Sequence, residues 1–231
     1  MIDIHTHILP FLDDGSDSLD KSLEMIVNAI NNGITNVFLT PHALRSDIKK
    51  YSLDELQENF NKFKNMVEVN YPIKLHLGQE IYIRDDLISA LRMKNVITMN
   101  NSNYILLEMP YNIRPIDFEE IIHSCGVLNL NIILAHVERY SYLSVDDIDK
   151  LSQLGILMQV NSTSIIAKNK HINKKVDKLF KKNLVTFIAS DIHSFREYTM
   201  KEAFEVARSK YGEEKALDVF SNNARKIFNL N

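Results

Sequence analysis

The chain has 231 residues, 45% hydrophobic and 25% charged, with a formal net charge of −3; this is an ordinary globular balance, without the basic excess of a protein that coats nucleic acid. Its one cysteine, Cys125, excludes an intrachain disulfide and fits a reducing compartment. No run approaches the roughly 18 apolar residues of a membrane span, and the start Met1-Ile2-Asp3-Ile4-His5 carries no basic-then-apolar leader, so the expected location is the cytoplasm.

A short apolar strand at 2–4 precedes a helical stripe of Leu19, Leu23, Ile26, Val27 and Ile30, stopped by Gly33. A second strand at 36–40 leads to Ser52 and Glu55, which read as a capping box ahead of Leu56, Phe60, Phe63, Met66 and Val67. Strands at 73–77, 104–109 and 131–135 alternate with helices near 85–94 and 116–128. Ser144 with Asp147 caps a helix at 146–154. Strands at 156–160 and 184–189 follow, with helices near 172–182, 198–211 and 213–220. Seven strand–helix units imply a parallel sheet. They either close into a distorted barrel or stay open and doubly wound. No Pro/Gly/Ser linker divides the chain, so residues 1–231 read as one domain.

The polar residues fall at the ends of these strands. Strand one ends in His5-Thr6-His7, and alternate strand residues point the same way, so both imidazoles can face one ion. Asp13-Asp14-Gly15 follows in the first loop. Later strands end in His42, Glu80, Glu108 and His136, and the last in Asp191 and His193. In parallel barrels the C-terminal strand ends are where active sites are built. Five His, three strand-end acids and one loop Asp exceed what one ion takes, so two or three closely spaced ions are expected. Such centres serve phosphoester and amide hydrolysis by activating water. His76, His123 and His171 lie inside a strand, inside a helix and in a lysine-rich stretch, and stay outside the site.

These residues resemble the PHP (polymerase and histidinol phosphatase) superfamily over essentially the whole chain. The most similar branch is the manganese-dependent protein-tyrosine phosphatases of the CpsB/CapC/YwqE-like type, which accompany bacterial capsule and exopolysaccharide tyrosine kinases. The likeness runs through Met1-Ile2-Asp3-Ile4-His5-Thr6-His7-Ile8, Gly78-Gln79-Glu80-Ile81-Tyr82 and Ala135-His136-Val137-Glu138-Arg139-Tyr140. It continues through Gln159-Val160-Asn161-Ser162, Ile188-Ala189-Ser190-Asp191-Ile192-His193 and Asn223-Ala224-Arg225-Lys226-Ile227. It implies an α/β fold, a distorted seven-unit (β/α)7 TIM-like barrel, with Mn2+ in a trinuclear centre. His5, His7, Glu80 and Asp191 would hold the first ion; Glu80, Glu108 and His136 the second; Asp14, His42 and His193 the third. Asp13 is the alternative to Asp14. Fe, Zn, Co or Mg also suit such a donor set. The implied partner is the phosphotyrosine tail of a membrane-associated bacterial tyrosine kinase.

Arg139, just past strand five, suits a fork onto phosphate oxygens; its alternative is an ion pair with Glu138. Arg196 resembles a second family arginine, although its loop is about two residues shorter here. Arg45 is a third candidate. With the metal ligands His136 and Asp191, Arg139 and Arg196 make the expected catalytic set. Tyr82 and Tyr140 either wall an aromatic pocket or pack. His123-Ser124-Cys125 has no arginine at the spacing a thiol phosphatase needs, since that position is Asn131, so Cys125 reads as a buried apolar residue. The run Lys168, Lys170, Lys174, Lys175, Lys178, Lys181 and Lys182 reads first as a solvated helix face, and second as a dock for an acidic tail or lipid. Two rival functions are another PHP phosphoesterase, acting on histidinol phosphate or a nucleotide, and a non-catalytic kinase-docking protein.

Overall fold

The computed structural model describes residues 1–48 and 50–230. Its strands are β1 Ile2–Thr6, β2 Asn36–Leu39, β3 His42–Ala43, β4 Lys74–Leu77, β5 Glu80–Tyr82, β6 Tyr104–Glu108, β7 Asn131–Leu134, β8 Leu157–Asn161 and β9 Phe187–Ala189. Every pairing is parallel. The sheet comes in two pieces, β1-β2-β4 and β3-β5-β6-β7-β8-β9. The expected strands at 36–40 and 73–77 stand as β2 and β4, and each is followed by a further short strand, β3 and β5, that the sequence pattern did not mark. Thr40-Pro41 separates β2 from β3, and proline has no N–H for the ladder. Gly78-Gln79 separates β4 from β5, where a Cβ on Gly78 would lie 2.5 Å from Met99 Sδ. The far edges approach each other: Asp191 N donates to His5 O at 2.9 Å and His7 N to Ile192 O at 3.0 Å. The result is a mixed α/β fold around a curled parallel sheet.

The helices are α1 Leu19–Asn31, α2 Leu53–Asn70, α3 Leu87–Arg92, α4 Phe118–Val127, α5 Val145–Gln153, α6 Ser162–Ile166, α7 Lys170–Lys181, α8 Met200–Tyr211, α9 Glu213–Leu217 and α10 Asn223–Phe228. Ser144 and Asp147 form the full capping box on α5. On α2, Ser52 caps Glu55 N. In α1 and α2 the stripes are slightly rotated: Val27 and Met66 are exposed, while Met25 and Ala29 face the core. The sequence pattern missed α6 and α10, which are too short to show a helical period.

Two apolar layers hold the fold. The larger one fills the space between the sheet and the helices. The smaller one lies inside the curl, with Ile2, Ile4, Phe38, Leu106, Ile133 and Phe187 against Ala224 and Phe228 of α10. Phe228 packs on Phe38 at 4.7 Å between centroids. Truncating such a ring costs about 3–5 kcal/mol. The His and acidic side chains gather at the other end, where the strands terminate.

Candidate metal centre

The strand ends bring all nine expected ligand residues together. Glu80 Oε2 lies 3.2 Å from His5 Nε2, 3.3 Å from His7 Nε2 and 2.9 Å from His42 Nδ1. Its other oxygen is 2.9 Å from His136 Nε2. Glu108 stands 3.8 Å from both His42 and His136. Asp191 Oδ1 is 3.6 Å from His7 Nε2 and from His193 Nδ1. Asp14 Oδ1 is 3.4 Å from His42 and 3.5 Å from His193. Three groups have donor atoms within 4.8 Å of one another: His5, His7 and Glu80; His42, Glu80 and Glu108; and His7, Asp14, His42 and His193. The implied grouping differs in each set: it adds Asp191 to the first, has His136 in place of His42 beside Glu80 and Glu108, and leaves His7 out of the third.

The donor chemistry fits cations. His7 Nδ1 is 2.6 Å from Asp13 Oδ2, and His5 Nδ1 is 3.1 Å from Gln159 Oε1. Both Nδ1 atoms therefore donate, which leaves both Nε2 lone pairs free; these face each other across 3.2 Å. His42 Nδ1, Glu80 Oε2 and Glu108 Oε2 are buried with no hydrogen-bond partner. Buried polar atoms are rarely left so, and a cation satisfies all of them at once.

The local backbone explains the convergence. The register of β1 against β2 slips between Asp3 and Thr6, a kind of bulge that re-aims side chains beside active sites. Gly15 passes so close to His7 that a Cβ would sit 2.0 Å from His7 O. Only glycine lets that loop fold down and bring Asp13 and Asp14 to the imidazoles. His136 (φ 31) and Asp191 (φ 51) are both left-handed, a strain of about 1–3 kcal/mol per residue.

Electrostatics follow the same map. Burial pushes the Glu80 carboxyl up, but His5, His42 and His136 outweigh it and hold it well below the usual range. Glu108 goes the other way, raised by burial and by the neighbouring Glu80 charge. Burial lowers His7, yet Asp13 and Glu80 outweigh it and hold it well above its ordinary value. The hydrogen bond from His193 holds Asp14 down.

The two loop aspartates thus divide the work. Asp14 faces His42 and His193, whereas Asp13 stands behind them, accepting from Gly15 N and His42 N. Arg139 Nη1 donates to Asp191 Oδ2 at 3.1 Å, and Arg196 Nη1 to the same oxygen at 3.0 Å. The Glu138 pairing does not form: Glu138 accepts from Asn161 N and Ser164 Oγ instead. Arg45 forks onto Asp47 and brings Nη1 to 2.9 Å from His42 Nε2. Tyr140 is packing, fully buried with its oxygen accepting from Met109 N. The aromatic neighbour of Arg139 is Tyr111, which the sequence reading missed. Gln159 and Asn161 were also missed as parts of the site. Gln159 bonds His136 N and His5, and Asn161 donates to Asp191. Polar residues at alternate positions of an otherwise apolar β8 were the available signal.

The remaining candidates stay outside. His76 bonds Asn36 and Asn100, and His123 and His171 are exposed. Cys125 is buried in α4, and burial pushes its thiol up to about 11, the wrong direction for a nucleophile. In the lysine run, Lys175 is tied to Tyr140 O and Lys182 to Asp146 and Asp149. Among the described residues no helix is long and apolar enough to cross a membrane.

Comparison with known proteins agrees with this geometry. The tyrosine-protein phosphatase CpsB of Streptococcus agalactiae is 29% identical over 238 residues, 98% of each chain. The tyrosine-protein phosphatase YwqE of Bacillus subtilis strain 168 is 29% identical over 221 residues, 93% of this chain and 86% of that one. A solved chain from the crystal structures of YwqE from Bacillus subtilis and CpsB from Streptococcus pneumoniae, metal-dependent tyrosine phosphatases, superposes with a TM-score of 0.90 at 27% identity. It covers 100% of this chain and 95% of that one. The capsular polysaccharide synthesis family CpsB/CapC matches residues 1–229, and this chain belongs to it.

Proposed function

We propose that this protein is a metal-dependent protein-tyrosine phosphatase. Its substrate in this reading is the phosphotyrosine tail of a membrane-associated bacterial tyrosine kinase that governs capsular polysaccharide synthesis, met in the cytoplasm. The reading treats residues 1–231 as one domain, a distorted seven-unit barrel, with Mn2+ as the preferred ion. The observation that carries it is the convergence of four imidazoles on Glu80, a side chain 1% exposed whose Oε2 has no hydrogen-bond partner. His5, His7, Asp14, His42, Glu80, Glu108, His136, Asp191 and His193 are the ligands in this proposal. Bound divalent ions neutralise phosphate oxygens and activate water.

The chain's own groups do the rest. Arg139 and Arg196 each use one nitrogen on Asp191, which leaves further N–H donors for phosphate oxygens. Asp191 keeps both guanidiniums at the site, and Asn161 holds Asp191. The leaving phenolate has a conjugate acid near about pKa 10, so it departs with little help from an acid. A recess of about 500 Å³ opens beside His42 and Arg45, and another of about 450 Å³ beside Arg139 and Tyr111. These give room for substrate on either side.

The test is hydrolysis of a phosphotyrosyl peptide by metal-stripped protein, with Mn, Mg, Zn or nothing added back. His136→Ala and Arg139→Ala run beside it. Activity should return with Mn and fall by roughly 10²-fold or more in both variants, the scale of one lost charge-stabilising donor. Full activity in the stripped protein would sink the reading.

A further inference from the structure

Two arginines meet at one oxygen, and each has an aromatic ring against its guanidinium. Arg139 Cζ lies 4.4 Å from the centroid of Tyr111, and Arg196 Cζ lies 5.2 Å from that of Phe195. The two rings are held differently. Tyr111 is half-buried, and its hydroxyl donates to Glu108 Oε1 at 2.9 Å. Phe195 has no polar handle. It is 72% exposed, with the His193 ring tilted 5.5 Å away.

The loop beneath Phe195 is nevertheless fixed. Ser194 N donates to Gly15 O at 3.1 Å, and Arg196 N donates to His193 O at 3.0 Å. A pinned backbone therefore presents a bare aromatic surface at the edge of a charged site. One exposed apolar residue means little by itself; this ring differs in lying against His193 and Arg196 of the charged cluster, and ligand sites set apolar surface beside a few convergent polar groups. The ligand's chemistry follows from the neighbours. The guanidiniums take an anion, and a ring face beside them takes another ring, by stacking or edge contact.

We propose that Phe195 is a specificity-determining residue: it packs against the aromatic ring of an aryl phosphate ester while Arg139 and Arg196 hold the phosphate. This rests on the phosphatase reading and deepens it, because it makes the site prefer aryl over alkyl monoesters. Tyr111 serves differently, holding Arg139 and Glu108 in place.

The experiment titrates Mn-loaded protein calorimetrically with phenylphosphonate and with methylphosphonate, which carry the same anion and cannot be hydrolysed. The unmodified protein should bind phenylphosphonate more tightly. Phe195→Ala should cut that preference by about two- to tenfold, and Phe195→Trp should keep it. A Phe195→Ala variant that weakens both ligands equally, or neither, overturns the assignment. So does a tryptophan variant that behaves like alanine. An unmodified protein that binds neither phosphonate overturns the phosphatase reading itself, and that outcome is distinct from the others.

Discussion

Glu80 and Asp14 are both carboxylates that face imidazoles, yet the Glu80 side chain is 1% exposed and that of Asp14 is 45% exposed. Around Glu80 no water can stand in for a missing partner, so the neighbouring groups are anchored from behind. Gln159 holds His5, and Asp13 holds His7. Around Asp14 solvent competes, and the nearby arginines keep spare donors. The deep half is built to fix positions before anything binds. The rim is built to exchange partners.

The sharpest break of this contrast is Glu80→Gln. It removes the charge that four histidines share, and metal affinity should fall by more than about 100-fold, beyond the range of an outer-shell change. Metal content after dialysis reads it directly, and retained metal would contradict the central role of Glu80. Next in size is Asp13→Ala, which touches no phosphate but frees His7 to rotate. We expect about a 10- to 100-fold loss of metal affinity, largely restored in Asp13→Asn, whose amide oxygen still accepts from Nδ1. Equal losses in both variants would show that charge, not orientation, is what Asp13 supplies.

At the rim the expected effects are smaller. Both forked nitrogens of Arg45 are already taken by Asp47. Arg45→Ala should therefore lower kcat/KM by less than about tenfold, short of the loss when a charged hydrogen bond to substrate is removed. A loss as large as that of Arg139→Ala would promote Arg45 to the phosphate clamp. The smallest effect belongs to Cys125. Cys125→Ala should leave turnover within about twofold and cost about 1 kcal/mol of stability in denaturant titration. Abolished turnover with intact fold and metals would revive a thiol mechanism.

The clustering of these side chains was legible because parallel strands end on one side, so a recurring His, Asp or Glu after each apolar run already implies a shared location. What stayed hidden depends on contacts across the fold. Nothing local distinguishes Asp13 from Asp14; their partners across the fold do, His7 Nδ1 and His42 N for Asp13, the His42 and His193 rings for Asp14. Of the two readings open for Tyr140, packing holds, because the chain turns through a left-handed His136 before Tyr140 and that ring lies in the core; Tyr111, beside Arg139, carried no mark in the sequence. The short strands β3 and β5 left no signal because Thr40-Pro41 and Gly78-Gln79 sit where the apolar runs simply stop. Gln159 and Asn161 looked like ordinary strand polars until their partners from β1 and the segment after β9 came beside them.

The seam where the segment after β9 runs beside β1 has a consequence for assembly order. Ser190 N donates to Asp3 Oδ1 across 187 positions of sequence. Closing so long a loop sacrifices chain entropy before any contact returns it, so this join forms late. His5 and Asp191 meet only there. On the proposed reading, a chain still folding therefore offers the ions no complete cradle. On that reading a bound ion present at 100 times its Kd would add about 2.7 kcal/mol against reopening, and the metal centre would be the clasp of the fold as well.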